Sequence, residues 1–387
     1  MKSRKLLMIP GPIEFEPSVL QTMSTPTTSH VAPDFVQSFG NALDMMKKVW
    51  LAPSGQSFII PGSGTLAMDM AAANLVEKHD NVLVISTGYF GERYADLMRR
   101  YSDQVDVLRA ERGNIVPPGE IEKQLKEKKY KVLAFTHVDT STAVKNDPVP
   151  IAELGKKYDV LTILDGVCSV GGEEMRQEDW GIDIAFTASQ KAIGVPPGLA
   201  LLVASPKAME SWKNRKSPVP NYYADWSNWL PIMQAYGNRT PAYFGTPAVN
   251  LVLALEESLK IILDEGMEKR FRRHEKTGKA FRKAMKAAGL NMIPQEEKVS
   301  ADTLSAVFFP EEINGKDFLQ KVSEEGIMLA GGLLADIKSK YFRVGHMGAV
   351  SRNDLLATIG AVEYALKNSG YNIEPGIALK AAQEILG

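Results

Sequence analysis

The sequence predicts an α/β fold with a central, mostly parallel sheet flanked by helices, followed by a smaller α+β domain. Two observations lead to this prediction. Short runs rich in Val and Ile, apolar on both faces, alternate with longer stretches of helical period, as expected for buried parallel strands covered by helices. This rhythm changes near residue 250, where long helical stretches come first and short strands follow. We therefore expect the boundary between two domains in the long helix at residues 250–265.

The predicted elements follow one another in a regular order. Strand runs alternate with helical stretches in the first part of the chain: QSFIIPG and GTLAMDMAAANLVEK, NVLVIST and YFGERYADLMRRY, VDVLRA and PPGEIEKQLKEK, KVLAFTHV and PVPIAELGKKY. Further strand runs complete the predicted sheet: DVLTILDG, IDIAFTAS and LALLVAS. Beyond residue 250 the same criteria predict helices in NLVLALEESLKIILDEG and MEKRFRRHEKTGKAFRKAMKAAGL, then strands in TLSAVFFP and YFRVGHMG.

The composition argues against several classes of function. The 45 Lys and Arg residues nearly balance the 46 Asp and Glu residues, so net charge favours neither nucleic acid nor an anionic membrane as a partner. Cys168 is the only cysteine, which excludes an intrachain disulfide and a cysteine zinc cluster. No apolar run approaches the length that spans a bilayer. We expect a soluble, cytoplasmic protein.

The basic segment at residues 270–286 requires a separate explanation. Phe271, Gly278, Phe281 and Met285 fall near one face of this segment at helical spacing. We interpret it as a surface helix whose cations face solvent rather than as a nucleic-acid site.

The stretch PGSGTLAMD follows a predicted strand and begins a predicted helix. Small residues there let backbone N–H groups approach an anion, and the helix dipole favours phosphate. Three interpretations of this loop are open. It could be a tight turn built on Gly62 and Gly64, a dinucleotide site with the pattern Gly62-Ser-Gly64-x-x-Ala67, or the phosphate site of another cofactor. A dinucleotide site predicts an acidic residue at the end of the next strand, where this chain has Ser86 and Thr87. The phosphate of another cofactor therefore fits better.

Asp165 and Lys191 come at the ends of two strand runs. Asp165 ends a buried strand, where an unpaired charge is costly, and Lys191 lies two residues past the end of the next run. Both should therefore lie at the same edge of the sheet as the glycine loop. Taken singly, Asp165 could be a helix cap or an ion-pair partner, and Lys191 an exposed loop lysine. Together with the loop, they provide what pyridoxal phosphate needs: an amine for its aldehyde, a carboxylate for its ring nitrogen and amides for its phosphate.

These residues belong to stretches that resemble a known family. The stretches occur in the family's order between residues 6 and 348: LLMIPGP, PGSGT, TGYFGERY, THVDTSTAV, LDGVCSVGGEE, TASQKAIGVPPG, YADWSNW, YFGTPAV and FRVGHMG. The chain resembles the class V aminotransferases of fold type I, most closely the serine–pyruvate and alanine–glyoxylate aminotransferases. The resemblance implies an N-terminal segment near the active site at residues 1–15, a large cofactor-binding domain at 16–255 and a small domain at 256–387. It also implies pyridoxal phosphate as cofactor, a homodimer with shared active sites, and ping-pong transamination between serine or alanine and glyoxylate or pyruvate.

The resemblance further implies roles for single residues. Lys191 would bind the cofactor aldehyde and move the substrate α-proton, and Asp165 would pair with the ring nitrogen. Val167 and Phe90 would contact the two ring faces, although the family usually has Trp at the position of Phe90. The cofactor phosphate would be bound by Ser63, Gly64, Thr65 and Gln190, and the cofactor 3-oxygen by Thr140. Tyr243 and Thr246 would reach the phosphate of the neighbouring subunit's cofactor. The substrate would be contacted by Arg343 and Gly11.

The chain departs from the family pattern at two loops. Val138, Asp139 and Ala143 stand where relatives tend to have Gly, Glu and Gly, and Gly166 and Cys168 stand where Ser and Ala are usual. No expected catalytic group is lost, so the reaction type is unaffected. The substrate preference stays open.

Other functions also stay open on the sequence. An aminotransferase for phosphoserine or a phosphonate would need extra cations near the substrate side chain. A lyase like cysteine desulfurase would need a cysteine on a mobile loop of the small domain, whereas Cys168 follows the strand of Asp165. An NAD-dependent oxidoreductase would use the Gly62 loop. The stretch YYADWSNWLPIMQAYG either walls a substrate entrance or forms a surface helix with Trp226 and Trp229 buried.

Overall fold

The structure is a computed structural model that describes residues 4–387. Residues 1–3 of the predicted N-terminal segment lie outside the described residues. The strands are β1 (Leu6–Leu7), β2 (Gln56–Pro61), β3 (Asn81–Ser86), β4 (Gln104–Arg109), β5 (Val132–Thr136), β6 (Val138–Asp139), β7 (Val144–Lys145), β8 (Leu161–Asp165), β9 (Ile184–Ala188), β10 (Leu199–Ala204), β11 (Leu304–Phe308), β12 (Ile327–Met328), β13 (Ala330–Gly331) and β14 (Tyr341–Gly345).

Helices cover the sheets. They are α1 (Pro17–Met23), α2 (Pro33–Val49), α3 (Gly64–Leu75), α4 (Tyr89–Met98), α5 (Pro118–Glu127), α6 (Pro148–Lys157), α7 (Gln177–Trp180), α8 (Pro206–Lys213), α9 (Trp226–Gly237), α10 (Val249–Glu265), α11 (Met267–Ala287), α12 (Gly315–Glu324), α13 (Arg352–Asn368) and α14 (Ile377–Leu386). Within residues 4–387, no helix combines the length and the apolar character needed to cross a membrane.

The central sheet has seven strands in the order β2-β10-β9-β8-β5-β3-β4. The strands from β9 to β4 are parallel to their neighbours, whereas β10 pairs antiparallel with both β9 and β2. Only residues 189–198 connect β9 to β10, which is too short for the crossover that a parallel neighbour requires. The predicted α/β fold with a mostly parallel sheet is confirmed.

The burial of the strands explains their composition. Every residue of β5, β8, β9 and β10 is buried, because helices cover both faces of the sheet. The ends of three parallel strands lie side by side, since Thr136 pairs with Asp165, and Asp165 pairs with Phe186. This edge is where the parallel arrangement brings polar residues together.

The hydrophobic core is divided into two large clusters and a smaller one. The first surrounds the seven-stranded sheet and includes α10 and the start of α11. The second lies between α11, α12, α13 and the small sheet, and it takes in Met8 of the N-terminal segment. The predicted division at residues 255 and 256 falls inside α10, and we keep it as a proposal. The change from the first core to the second occurs further along, between Phe271 and Ala280 of α11.

The prediction for the basic segment was partly wrong. Its apolar face is buried in α11, as expected, but Arg270 and Arg282 are buried too, with 4% and 2% of their surface exposed. Arg270 donates hydrogen bonds to the carbonyls of Gly171 (2.6 Å) and Ala192 (2.7 Å). Arg282 donates to the carboxylate of Asp302 at 3.1 Å. Helical period identifies the apolar face, but it does not show that loops cover neighbouring positions as well.

The aromatic helix α9 resolves an alternative that the sequence left open. Trp226 and Trp229 are both buried in the first core, with no more than 1% of either exposed. The ring of Trp226 stacks on Phe58 of β2 at 5.2 Å, and Trp229 packs edge-on against Phe244 at 4.9 Å. The interpretation of these two tryptophans as the wall of a substrate entrance was therefore wrong.

Candidate active site

One cavity of about 190 Å³ lies at the carboxyl ends of β8 and β9, next to the starts of α3 and α4. Most of its lining had been predicted from the sequence. The predicted residues that line it are Ser63, Gly64, Thr65, Phe90, Thr140, Asp165, Val167, Gln190 and Lys191. Strand ends from a parallel sheet meet at one edge, which is why residues far apart in the sequence converge here.

Lys191 lies on the tight loop that joins β9 to β10. Its carbonyl accepts a hydrogen bond from Gly194 N (2.8 Å), and Gly194 has a positive φ of 77° that favours glycine. The Nζ atom of Lys191 donates to the carbonyl of Pro10 in the N-terminal segment. A Cβ atom on Gly11 would lie 2.7 Å from Lys191 Cδ and 2.8 Å from its Nζ. The N-terminal segment therefore passes close to this lysine, and the φ of 128° at Gly11 favours glycine there.

Asp165 is the last residue of β8, and 4% of it is exposed. Its carboxylate accepts one hydrogen bond, from Val167 N at 3.0 Å, and no other within residues 4–387. Burial raises the pKa of Asp165 to about 7; the N–H of Val167 opposes this shift, Asp139 adds to it, and Lys191 and Arg93 oppose it. A buried carboxylate with so few partners can accept a hydrogen bond from a ligand.

The start of α3 faces the same cavity. Ser63 is the N-cap of this helix and is extended, but its side chain makes no capping hydrogen bond. A Cβ atom on Gly64 would lie 3.0 Å from Val167 Cγ2 and 3.2 Å from Ala188 Cβ, so the backbone approaches β8 and β9 closely. The first N–H groups of a helix have no partner within it, and the helix dipole makes their surroundings favourable for an anion.

Two further polar groups lie at the cavity. The Oε1 atom of Gln190 is buried and has no hydrogen-bond partner among residues 4–387. The hydroxyl of Thr140 lies 2.7 Å from Cys168 Sγ, and both residues are buried. An unsatisfied buried oxygen is costly, so Gln190 indicates a place where a bound group would complete the hydrogen bonding.

Arg343 on β14 does not line the cavity itself, but it contacts Thr140, which does. Its Nη1 donates to the carbonyl of Thr140 at 3.1 Å, and its Nε donates to the carbonyl of Gly331 at 2.9 Å. Only 8% of the residue is exposed, and burial lowers the pKa of its guanidinium. No carboxylate within residues 4–387 forms an ion pair with it, so donors remain available for the carboxylate of a ligand.

Four predicted site residues do not line the cavity: Gly11 and Arg343 contact residues that do, whereas Tyr243 and Thr246 lie elsewhere. Tyr243 is 64% exposed, and its ring packs 5.4 Å from the ring of His30. Thr246 is exposed as well. The structure does not bring them to Lys191 in the single chain, and their predicted role toward a neighbouring subunit stays a prediction.

Comparison with known proteins identifies the family. The aminotransferase class V family matches residues 19–350, which is most of the chain. The chain belongs to the class V aminotransferases. The resemblance seen in the sequence is thereby confirmed, and the interpretation of the Gly62 loop as a dinucleotide site is not favoured.

Relatives of similar length are named aminotransferases. An uncharacterised aminotransferase from Methanocaldococcus jannaschii is 36% identical over 385 residues, which is 99% of this chain and 98% of that one. Alanine–glyoxylate aminotransferase 1 from Saccharomyces cerevisiae is 37% identical over 366 residues, which is 91% of this chain and 94% of that one. Serine–glyoxylate aminotransferase from Arabidopsis thaliana is 31% identical over 388 residues, which is 99% and 95% of the two chains.

Solved structures of class V aminotransferases have the same fold. The ureidoglycine–glyoxylate aminotransferase from Bacillus subtilis superimposes with a TM-score of 0.93 and 27% identity, over 100% of this chain and 99% of that one. An alanine–glyoxylate aminotransferase from Nostoc sp. gives a TM-score of 0.89 and 30% identity, over 95% and 96%. The fold therefore agrees over almost the full length of the chain.

Sequence reasoning missed three residues that line the cavity: Met68, Arg93 and Val138. A signal was present for each of them. Met68 lies about one helical turn after Thr65, and Arg93 about one turn after Phe90. Val138 lies two residues before Thr140, which is the spacing of one strand face. Extending the predicted motifs by their structural period would have found all three.

Proposed function

We propose that this class V aminotransferase uses pyridoxal phosphate to move an amino group between a small amino acid, serine or alanine, and a 2-oxo acid, glyoxylate or pyruvate. The main structural support for this proposal is the cavity where Lys191, Asp165 and the start of α3 meet. This combination provides the amine, the carboxylate and the phosphate site that the cofactor needs. The relatives named alanine–glyoxylate and serine–glyoxylate aminotransferase indicate the substrate class.

The polar groups of the cavity fit this cofactor. Gln190 Oε1 lacks a hydrogen-bond partner among residues 4–387, Asp165 has only one, and the Ser63 side chain caps nothing. Burying such groups without partners costs free energy. A phosphate at the start of α3 and a protonated ring nitrogen at Asp165 would satisfy the helix N–H groups and the carboxylate.

When bound, pyridoxal phosphate supplies an aldehyde that captures amines and a ring that withdraws electrons from the substrate α-carbon. Lys191 would hold the cofactor and, once displaced by the substrate amine, take the proton from the α-carbon at its Nζ and deliver it again. Asp165, at the end of a buried strand, would keep a proton on the ring nitrogen.

Arg343 would bind and orient the substrate. Its planar guanidinium suits a bidentate contact with the α-carboxylate that amino acids and 2-oxo acids share. The carbonyl of Pro10 accepts a hydrogen bond from Lys191 Nζ, so the N-terminal segment borders the amine. A site bordered in this way favours small substrates such as serine, alanine and glyoxylate.

We also propose a homodimer in which Tyr243 and Thr246 reach the phosphate site of the partner. Their exposure in the single chain supports this, because residues that contact a second subunit must be accessible before assembly. Mixing inactive Lys191→Ala subunits with Tyr243→Ala subunits should give hybrid dimers with one intact site. Activity in the mixture above the sum of the separate variants is the expected result, and no gain would contradict a shared site.

The purified protein tests the proposed function directly. Saturated with pyridoxal phosphate, it should be yellow, its visible band should shift on adding L-serine or L-alanine, and glyoxylate should restore the band. Lys191→Ala should abolish this cycle, whereas the control Lys207→Ala, at an exposed lysine of α8, should keep it. A matrix of serine, alanine and aspartate against glyoxylate and pyruvate then ranks the substrates. Intersecting rather than parallel double-reciprocal lines would argue against a ping-pong reaction.

A further inference from the structure

Asp139 is a buried carboxylate to which the proposed function assigns no role. It ends β6, just before Thr140, and is completely buried. Its Oδ2 accepts hydrogen bonds from Phe90 N (3.0 Å) and Gly91 N (3.2 Å). Its Oδ1 accepts from Ser141 N (2.9 Å) and from the Ser141 hydroxyl (2.5 Å). One side chain therefore joins the start of α4 to the loop that follows β6.

The donors around Asp139 match an ionised carboxylate. The Ser141 hydroxyl accepts a hydrogen bond from Tyr89 N (3.0 Å), so its own proton is directed at Asp139. All four contacts to Asp139 are thus donors, and a protonated acid would place its O–H against one of them. The start of α4 also favours a negative charge. Burial raises the pKa of Asp139 above its usual value, and the hydroxyl and N–H donors offset only part of this rise.

The two segments that Asp139 joins carry residues of the cavity. Phe90 is on α4, and Thr140 follows Asp139 in the chain. The carbonyl of Thr140 accepts from Arg343 (3.1 Å), and the carbonyl of Ser141 accepts from the Tyr341 hydroxyl (2.8 Å). Displacement of the loop would therefore move Thr140 and the anchor of Arg343 together.

The turn before α4 packs directly on the carboxylate of Asp139. A Cβ atom on Gly88 would lie 2.7 Å from Asp139 Oδ1 and 2.5 Å from Ser141 Oγ. The absence of a side chain at Gly88 therefore lets this turn approach the carboxylate.

We propose that Asp139 is a positioning residue of the cofactor pocket. Its carboxylate locks the start of α4, and with it Phe90, to the loop that carries Thr140 and the carbonyl that holds Arg343. The inference rests on the proposed function, because it describes how the chain sets the face on which the cofactor ring would lie.

The test compares Asp139→Asn with a matched control, Asp183→Asn. Asp183 is also a buried aspartate, with 5% exposed, and it accepts from Thr162 N and the Ser205 hydroxyl, both at 2.9 Å. It precedes β9 and so lies at the end of that strand opposite Lys191. Both variants replace a carboxylate oxygen by an amide in a site built of donors, so both should lower the melting temperature. Only Asp139→Asn should change the pocket.

The deciding readout is the visible circular dichroism per bound pyridoxal phosphate, because it reports the asymmetric surroundings of the ring and not the stability of the fold. We expect Asp139→Asn to alter this signal at saturation and to weaken both cofactor binding and kcat/KM by about tenfold or more. Asp183→Asn should match the wild type in all three.

Other outcomes contradict the inference in distinct ways. If Asp139→Asn binds the cofactor and reacts as Asp183→Asn does, the role is merely structural and the inference is wrong. If Asp139→Asn does not fold, Ser141→Ala removes one of the four donors and should change the same signal by less; an unchanged signal would again overturn the inference. A wild-type protein that binds no pyridoxal phosphate would instead overturn the proposed function, and the inference with it.

Discussion

Two clusters of buried charge in this protein are paired very differently. At the cavity, Asp165 accepts one backbone hydrogen bond, and behind Thr140 Arg343 donates to two carbonyls; neither forms an ion pair within residues 4–387. Away from the cavity, Lys145 on β7 forms ion pairs with Glu173 (3.1 Å) and Asp302 (2.7 Å). Buried charges are costly unless paired. The incompletely paired cluster therefore indicates a ligand site, and the fully paired one a structural junction.

The junction continues from Asp302 into α11. Arg282 pairs with Asp302 and, at 2.6 Å, with Glu297. Glu173 accepts hydrogen bonds from Asp302 N (2.5 Å) and Thr303 N (3.0 Å). Every buried charge there has a partner of opposite charge, so removing one should mainly affect stability. Removing a charge from the cavity should mainly affect function.

The largest expected effect is at the junction. Arg282→Ala removes one of the two cations that pair with the buried Asp302, leaving Lys145, and should lower the free energy of unfolding by about 3 kcal/mol. Arg272→Ala, an exposed position on the same helix, is the control and should change it by no more than about 0.5 kcal/mol. Urea denaturation of both variants measures the difference. Equal stabilities would show that the junction is not structural.

Asp165→Asn tests the opposite expectation for the cavity. We expect kcat to fall on the order of 10²- to 10³-fold, because the amide cannot stabilise a positive ring nitrogen, with little loss of stability in the cofactor-free protein.

The pKa of Asp165 is raised to about 7, so its carboxyl contributes stability at low pH that is lost as the pH rises through 7. The amide of Asp165→Asn does not titrate and loses no stability in this way. The free energy of unfolding of the variant, relative to the wild type, should therefore rise from about pH 5 to about pH 8. Urea denaturation at both pH values measures this gain, and a loss of stability at the higher pH would contradict the comparison.

Arg343→Lys tests whether Arg343 binds the substrate carboxylate, because the substitution keeps the positive charge and removes the planar guanidinium. We expect KM for the amino donor and the oxo acid to rise on the order of tenfold, with a smaller change in kcat, since the lysine binds a carboxylate through one point only. Initial rates over a range of both substrates separate the two constants. An unchanged KM would mean that Arg343 does not bind the substrate carboxylate.

The smallest effect is expected for Cys168→Ala, which removes the contact between its thiol and the Thr140 hydroxyl. Stability should fall by about 1 kcal/mol or less, and transamination should stay within about threefold of the wild type, because a buried thiol here serves as a small packing group. Loss of all activity would instead indicate a nucleophilic cysteine, as in a lyase like cysteine desulfurase.

Much of the fold could be predicted from the sequence because the strands are buried on both faces. Apolar runs such as those that end at Asp165 and Ala188 have no other plausible location in a chain of this composition. The position of a polar residue at a strand end then predicts that it reaches the common edge of the sheet. This is why Lys191, Asp165 and Gly64 could be placed together before the structure was known.

The remaining features depend on contacts between distant segments. Nothing near Arg282 in the sequence shows that Asp302 will cover it, so a helical period alone placed this arginine in solvent. Likewise, the Lys191 contact with Pro10 joins residues that no local pattern connects. Asp139 was noted only as a departure from the family pattern, and its four donors become visible in the folded chain.

Borohydride reduction of the wild-type protein loaded with pyridoxal phosphate, followed by peptide mass spectrometry, tests whether Lys191 holds the cofactor. Reduction fixes the cofactor to the amine that holds it. We expect one phosphopyridoxyl group per chain, on the peptide that contains Lys191, and none at this position when L-serine is added in excess before reduction. A cofactor fixed to a different lysine, or no fixed cofactor at all, would contradict this expectation.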